Sequence, residues 1–171
     1  LYIMTYQLRK IAFGLLSCLS FISFNACGDD DNDPTPDPTP KPEEVSASVT
    51  YEFSCEPDML LMTDITVSYT DAEGKEVTET IKETKWKKDL SKVKVPFTAN
   101  LNVVYTKKEG FTSEKDSYKF GDGLAIGYKT SANKSESSSP SSSSLDVPKN
   151  RVDQYLDTWI TKEKKISKKI E

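Results

Sequence analysis

Between residues 46 and 130, apolar side chains return at every second position. Val49, Tyr51, Phe53 and Cys55 alternate with Ser48, Thr50, Glu52 and Ser54. Ile65, Val67 and Tyr69 alternate with Asp64, Thr66 and Ser68. Asp71-Ala72-Glu73-Gly74-Lys75 supplies turn chemistry, and Val77, Glu79 and Ile81 fall on a Thr-rich return strand. Leu90, Lys92 or Val93, and Val95 suggest a short, irregular strand. Phe97, Ala99, Leu101, Val103 and Tyr105 form the longest alternation, ended by Lys108-Glu109-Gly110. Tyr118, Phe120, Leu124, Ile126 and Tyr128 complete the set, interrupted at Gly121-Asp122-Gly123, a turn or bulge signal. A period of two puts one face in a core and the other in water, as in antiparallel sheets. About six or seven such strands predict an all-β domain over 46–130, folded as an antiparallel β-sandwich.

The period changes after residue 147. Val152, Tyr155, Leu156, Trp159, Ile160 and Glu163 follow helical spacing, and Ile166 and Ile170 extend the stripe. Asn150 suits the cap and Asp153 the first turn. The spacing therefore predicts one amphipathic α-helix over 148–171, with Lys162, Lys164, Lys165, Lys168 and Lys169 on its opposite face. Such a helix either docks on the sandwich as far as Ile160, leaving a frayed tail, or lies on an anionic membrane. Residues 131–147 are Ser-rich with little to bury, which predicts a disordered or loosely held loop. Residues 34–42 alternate Pro with polar residues and predict a stiff polyproline-II spacer of about 3.1 Å per residue.

Composition narrows the chemistry. The chain has 171 residues, a net charge of −4 and no histidine. The balance gives no reason to expect nucleic acid as a partner. The missing histidine removes the commonest general base and metal ligand. Glycine-rich phosphate loops and CxxC pairs are absent, so neither metal nor cofactor is expected. The acidic run from Asp29 is not a calcium loop, since its sixth and twelfth positions hold Pro34 and Pro40. Glu52, Glu56, Asp58, Asp64, Glu79 and Glu83 read as wet-face or loop residues, and no catalytic residue is assigned. Cys55 continues an apolar alternation and reads as a buried small side chain. The candidate ligand contact is Trp86 with Lys85, Lys87 and Lys88: an exposed indole stacks on rings, and lysines recruit anionic groups. The competing reading makes Trp86 the buried anchor of an edge strand.

The first residues speak to location. Arg9 and Lys10 precede an apolar run from Ile11 to Phe24, too short to cross a bilayer comfortably, and Met4 reads as the start. Ser23-Phe24-Asn25-Ala26-Cys27 resembles the lipobox of bacterial lipoproteins. The resemblance implies a signal peptide over 1–26 and lipidation of Cys27 by a diacylglyceryl group and an acyl chain. Segment 27–45 would then be the linker. Gly28-Asp29-Asp30-Asp31-Asn32-Asp33 resembles the surface-export signal of Bacteroidota-type lipoproteins. That implies an outer-membrane location, lipid-anchored and exposed on the cell surface, with the periplasmic face as the alternative. The domain resembles immunoglobulin- or fibronectin-like and transthyretin-like sandwiches alike, without the paired cysteines of antibody domains. The expected function is a non-catalytic binding or assembly module, with the membrane as one partner and a glycan or protein as the other. The alternatives are a carboxylate-dependent hydrolase, and a structural envelope lipoprotein touching membrane or wall polymer through a basic C-terminal helix.

Overall fold

The alternation seen in the sequence becomes strands wherever one face has a partner to bury against. A computed structural model describes residues 44–171. Strand β1 (Ser46–Cys55) is followed by a short helix, α1 (Pro57–Met62), and then by β2 (Thr63–Thr70), β3 (Glu76–Ile81), β4 (Lys85–Lys94) and β5 (Phe97–Lys107). The chain continues through β6 (Ser117–Phe120), β7 (Asp122–Thr130), β8 (Ser135–Glu136) and β9 (Leu145–Pro148). A single 3-10 turn leads into α2 (Val152–Ile160), and β10 (Lys164–Ile170) ends the fold.

Two four-stranded antiparallel sheets, ordered β4-β1-β7-β8 and β10-β5-β2-β3, make the expected sandwich, with a β6-β9 ribbon beside them. Val49, Tyr51 and Phe53 of the first sheet meet Ile65, Val67, Leu101 and Val103 of the second in one buried core. The first strand pairs with the fourth and the seventh. In the immunoglobulin constant order the first strand lies instead beside the second. Cys55 is buried and free; burial, then the charge of Asp122, pushes its thiol up to about 12, which leaves it an inert apolar filler.

The expected helix over 148–171 is corrected. It stops at Ile160, and Lys164–Ile170 is a strand paired along its length with β5. Four-residue spacing of Ile166 and Ile170 satisfies a helix and a strand equally. The free edge of β5 decides between them, because tertiary pairing outweighs local propensity. The lysines accordingly split between two faces: Lys165 and Lys169 are exposed, while Lys164 and Lys168 are half-buried and ion-paired to Asp122 and Glu136. The basic helical face needed for contact with membrane or wall polymer does not form. The sandwich therefore runs past residue 130 to Ile170.

The Ser-rich segment is also corrected. It packs, but through its backbone. Position 121, just before β7, and positions 123, 125 and 127 along its outer side are Gly, Gly, Ala and Gly. Residues 136–144 run across them as a strap, with Ser138 Oγ donating to the Ile126 carbonyl at 2.8 Å. A Cβ at Gly123 would stand 2.9 Å from the Ser141 carbonyl oxygen, so the strap lies where only glycine leaves room. Ala125 is buried beneath it.

The register gives the sandwich two distinct ends. Ser46 pairs with Lys94 and Ile170 with Phe97, so the start of β1 and the end of β10 share one end. The other end carries α1, α2 and the β6-β9 ribbon. Helix α1, unforeseen, begins at Pro57 and buries Met59 and Met62. Asp58, read as a loop residue, accepts hydrogen bonds there from Lys115 Nζ and the Lys119 amide.

Candidate functional site

The pleat of β4 divides the four candidate contact residues. Trp86 pairs with Phe53 and Lys88 with Tyr51, both core positions, so Trp86 and Lys88 turn toward the space between the sheets. Lys85 and Lys87 stand exposed on the outer face. Trp86 is half-buried and packs on the core, with its ring 5.6 Å from that of Tyr69.

What holds it is Glu79, which is not the wet-face residue its chemistry suggests. It shares the parity of Val77 and Ile81 on β3 and points inward. Its carboxylate accepts three hydrogen bonds: from Lys88 Nζ at 2.9 Å, Trp86 Nε1 at 3.0 Å and Tyr69 Oη at 3.0 Å. Edge strands β3 and β4 belong to different sheets, so this cluster closes that side of the sandwich. The hydrogen bond from Lys88, then the one from Trp86, holds the Glu79 carboxyl below its ordinary range. The same contact raises Lys88. A carboxylate depressed by folding adds stability that is complete above the ordinary glutamate range and disappears as pH falls through its lowered value. Glu79→Ala is therefore expected to cost about 1–3 kcal/mol at neutral pH, from three donors left unpaired. Urea midpoints of wild type and variant should converge as the pH falls below the ordinary glutamate range and Glu79 takes up its proton.

The outer face of the β4-β1-β7-β8 sheet offers the more open feature. A groove of about 420 Å³ runs over Glu52, Phe53 and Ser54, walled by Lys85, Trp86 and Lys87 on one side and Ser139 and Pro140 of the strap on the other. A second groove, of about 390 Å³, continues over Ser48, Thr50 and Gly127, and the two share Glu52, Lys87 and Ser139. Together they make a trough along β1, spanning roughly 20 Å from Ser48 to Ser54 at 3.3–3.4 Å per residue. Its lining is hydroxyl-rich and carries both signs of charge. Lys87 is tied to Asp89 at 3.3 Å, and Asp89 also accepts from Thr50 Oγ1 at 2.6 Å.

Of the sequence candidates, Lys85 and Lys87 stand on the face of this trough and Trp86 borders it from β4, while the Trp86 indole and Lys88 belong to the Glu79 cluster. The strap wall was not foreseen; its signal was the run of small residues at alternate positions of β7. Among the described residues no three acidic or cysteine side chains gather as a metal site. Cys27 lies outside the described residues. No protein-family model matches the chain, and no curated protein matches it.

Proposed function

We propose that this chain is a lipoprotein acylated on Cys27 that presents its sandwich at the surface of an outer membrane as a non-catalytic binding or assembly module. The observation that carries this reading is the leader that ends in Ser23-Phe24-Asn25-Ala26-Cys27, with the acidic and Pro-rich run behind it. Two or more acyl chains give stable anchoring where a single chain does not. The fold is in keeping with this role: the chain enters the domain at one end through Val45, so the opposite end and the sheet faces are left for partners. The trough along β1 suits an extended polar chain, a glycan or a peptide, lying between the strap and the outer row of β4.

The anchor is tested by detergent phase separation and intact mass. The wild-type protein should enter the detergent phase, heavier than its processed chain by the acyl groups, and Cys27→Ser should remain aqueous. Wild-type protein that stays aqueous and unacylated sinks the reading. Binding in the trough is tested by a glycan and peptide array probed with the wild type and with Lys87→Glu. A signal that this substitution leaves unchanged would move the site elsewhere.

A further inference from the structure

At the end of the sandwich away from Val45, two strands and a helix bring their chemistry to one point. Asp122 opens β7 as the cross-strand partner of buried Cys55, and its side chain is 8% exposed. Lys164 opens β10, is 18% exposed, and places Nζ 3.2 Å from Asp122 Oδ1. Tyr105 of β5 donates its hydroxyl to Asp122 Oδ2 at 2.6 Å. Trp159 of α2 covers the group, with Lys164 Nζ 3.9 Å from the centre of its ring. The rings of Trp159 and Tyr105 meet edge-on at 6.4 Å. Among the described residues this is the one ion pair with both side chains less than a fifth exposed.

Two ions held this way each carry a desolvation penalty of several kcal/mol, set against their attraction and the hydrogen bond from Tyr105. Chemistry that removes both charges relieves it. The fold also holds amine and carboxyl in contact, which replaces an encounter in solution with a first-order step. Burial, and next to it the charge of Asp122, keeps the Tyr105 hydroxyl protonated far beyond the ordinary phenol range, so it remains a donor.

We propose that Lys164 and Asp122 condense to an intramolecular amide that staples the C-terminal strand to β7. The ammonium first passes one proton to Oδ1 along their hydrogen bond, giving an amine and a carboxylic acid. Nζ attacks Cγ; the N–C bond forms and the carbonyl electron pair moves to Oδ2, where the Tyr105 hydroxyl stabilises it. A second proton leaves Nζ for Oδ1, the Cγ–Oδ1 bond breaks, and water departs. The carbonyl re-forms at Oδ2, still hydrogen-bonded to Tyr105. One ammonium and one carboxylate become one amide and one water, with no other reactant. The staple would fix β10 against unzipping from β5 in a module pulled through its other terminus.

The test is the intact mass of the folded full chain, followed by digestion. The wild type should be lighter than its sequence requires by one water, and should release a branched peptide joining the Asp122 and Lys164 segments. Lys164→Arg should carry its full mass, and Tyr105→Phe should lower the bridged fraction. Full mass in the folded wild type, before and after prolonged incubation, overturns the proposal. So does a missing water that persists in Lys164→Arg, which would place the loss at the Asp122-Gly123 backbone instead.

Discussion

A chain ending at Lys149 should show no cooperative unfolding transition. Deleting residues 150–171 removes Val152, Leu156, Trp159 and Ile170, all buried in the common core. At about 1.5–3 kcal/mol for each buried side chain, the loss is roughly 6–12 kcal/mol. A domain of this size has about 5–15 kcal/mol in all. The deletion also bares the β5 backbone from Phe97 to Val103 and leaves Asp122 without Lys164. A buried charge stripped of its partner costs about 3–5 kcal/mol by itself. Circular dichroism against urea should thus give a sloping, non-cooperative signal where the full chain gives a sigmoid. A truncated chain that melted as sharply as the full one would make the segment an appendage, as contact with membrane or wall polymer would require.

That segment also shows where sequence reading stops. Period-two alternation is unambiguous from Val49 to Cys55 and from Phe97 to Tyr105, because each run fits a strand and no helix. The sandwich was legible for that reason. Ile166 and Ile170 fit both periods, and only the vacant edge of β5 chooses between them. The Ser-rich strap failed differently. Composition reports what side chains can bury, whereas the strap packs its backbone on Gly121, Gly123, Ala125 and Gly127. The glycines of a Gly-Asp-Gly run also drew attention from Asp122, whose parity with Leu124 and Ile126 places it inside. Parity would likewise have turned Glu79 inward, where charge alone suggested water. In the candidate site, consecutive residues 85 to 88 read as one cluster, but the pleat sends alternate members to opposite faces. Helix α1 spans too few residues for a period to register, and only Pro57 and Asp58 marked its start.

Phe120→Ala should cost about 3–5 kcal/mol, the range for emptying a large aromatic site in a core that cannot collapse. Phe120 is fully buried at the end of β6, where ribbon and helix α2 meet. Its ring packs edge-on against Tyr155 at 5.0 Å and Trp159 at 5.6 Å. β6 is pinned by its pairing with β9, and α2 by its connection to β10, so neither can move in to fill the space. The urea midpoint should fall with an unchanged slope, since the surface exposed on unfolding is the same. Phe120→Leu, which keeps most of the volume, should lose less than about 1.5 kcal/mol. The chain has two tryptophans, Trp86 and Trp159, and only Trp159 touches this site. Removing Trp86 by Phe substitution leaves Trp159 as the reporter, and its emission should move to the red in Phe120→Ala. A loss below about 1 kcal/mol with unshifted emission would mean that α2 does not dock on the ribbon. The cap over Asp122 and Lys164 would then be open to water, and the driving force for joining them would go with it.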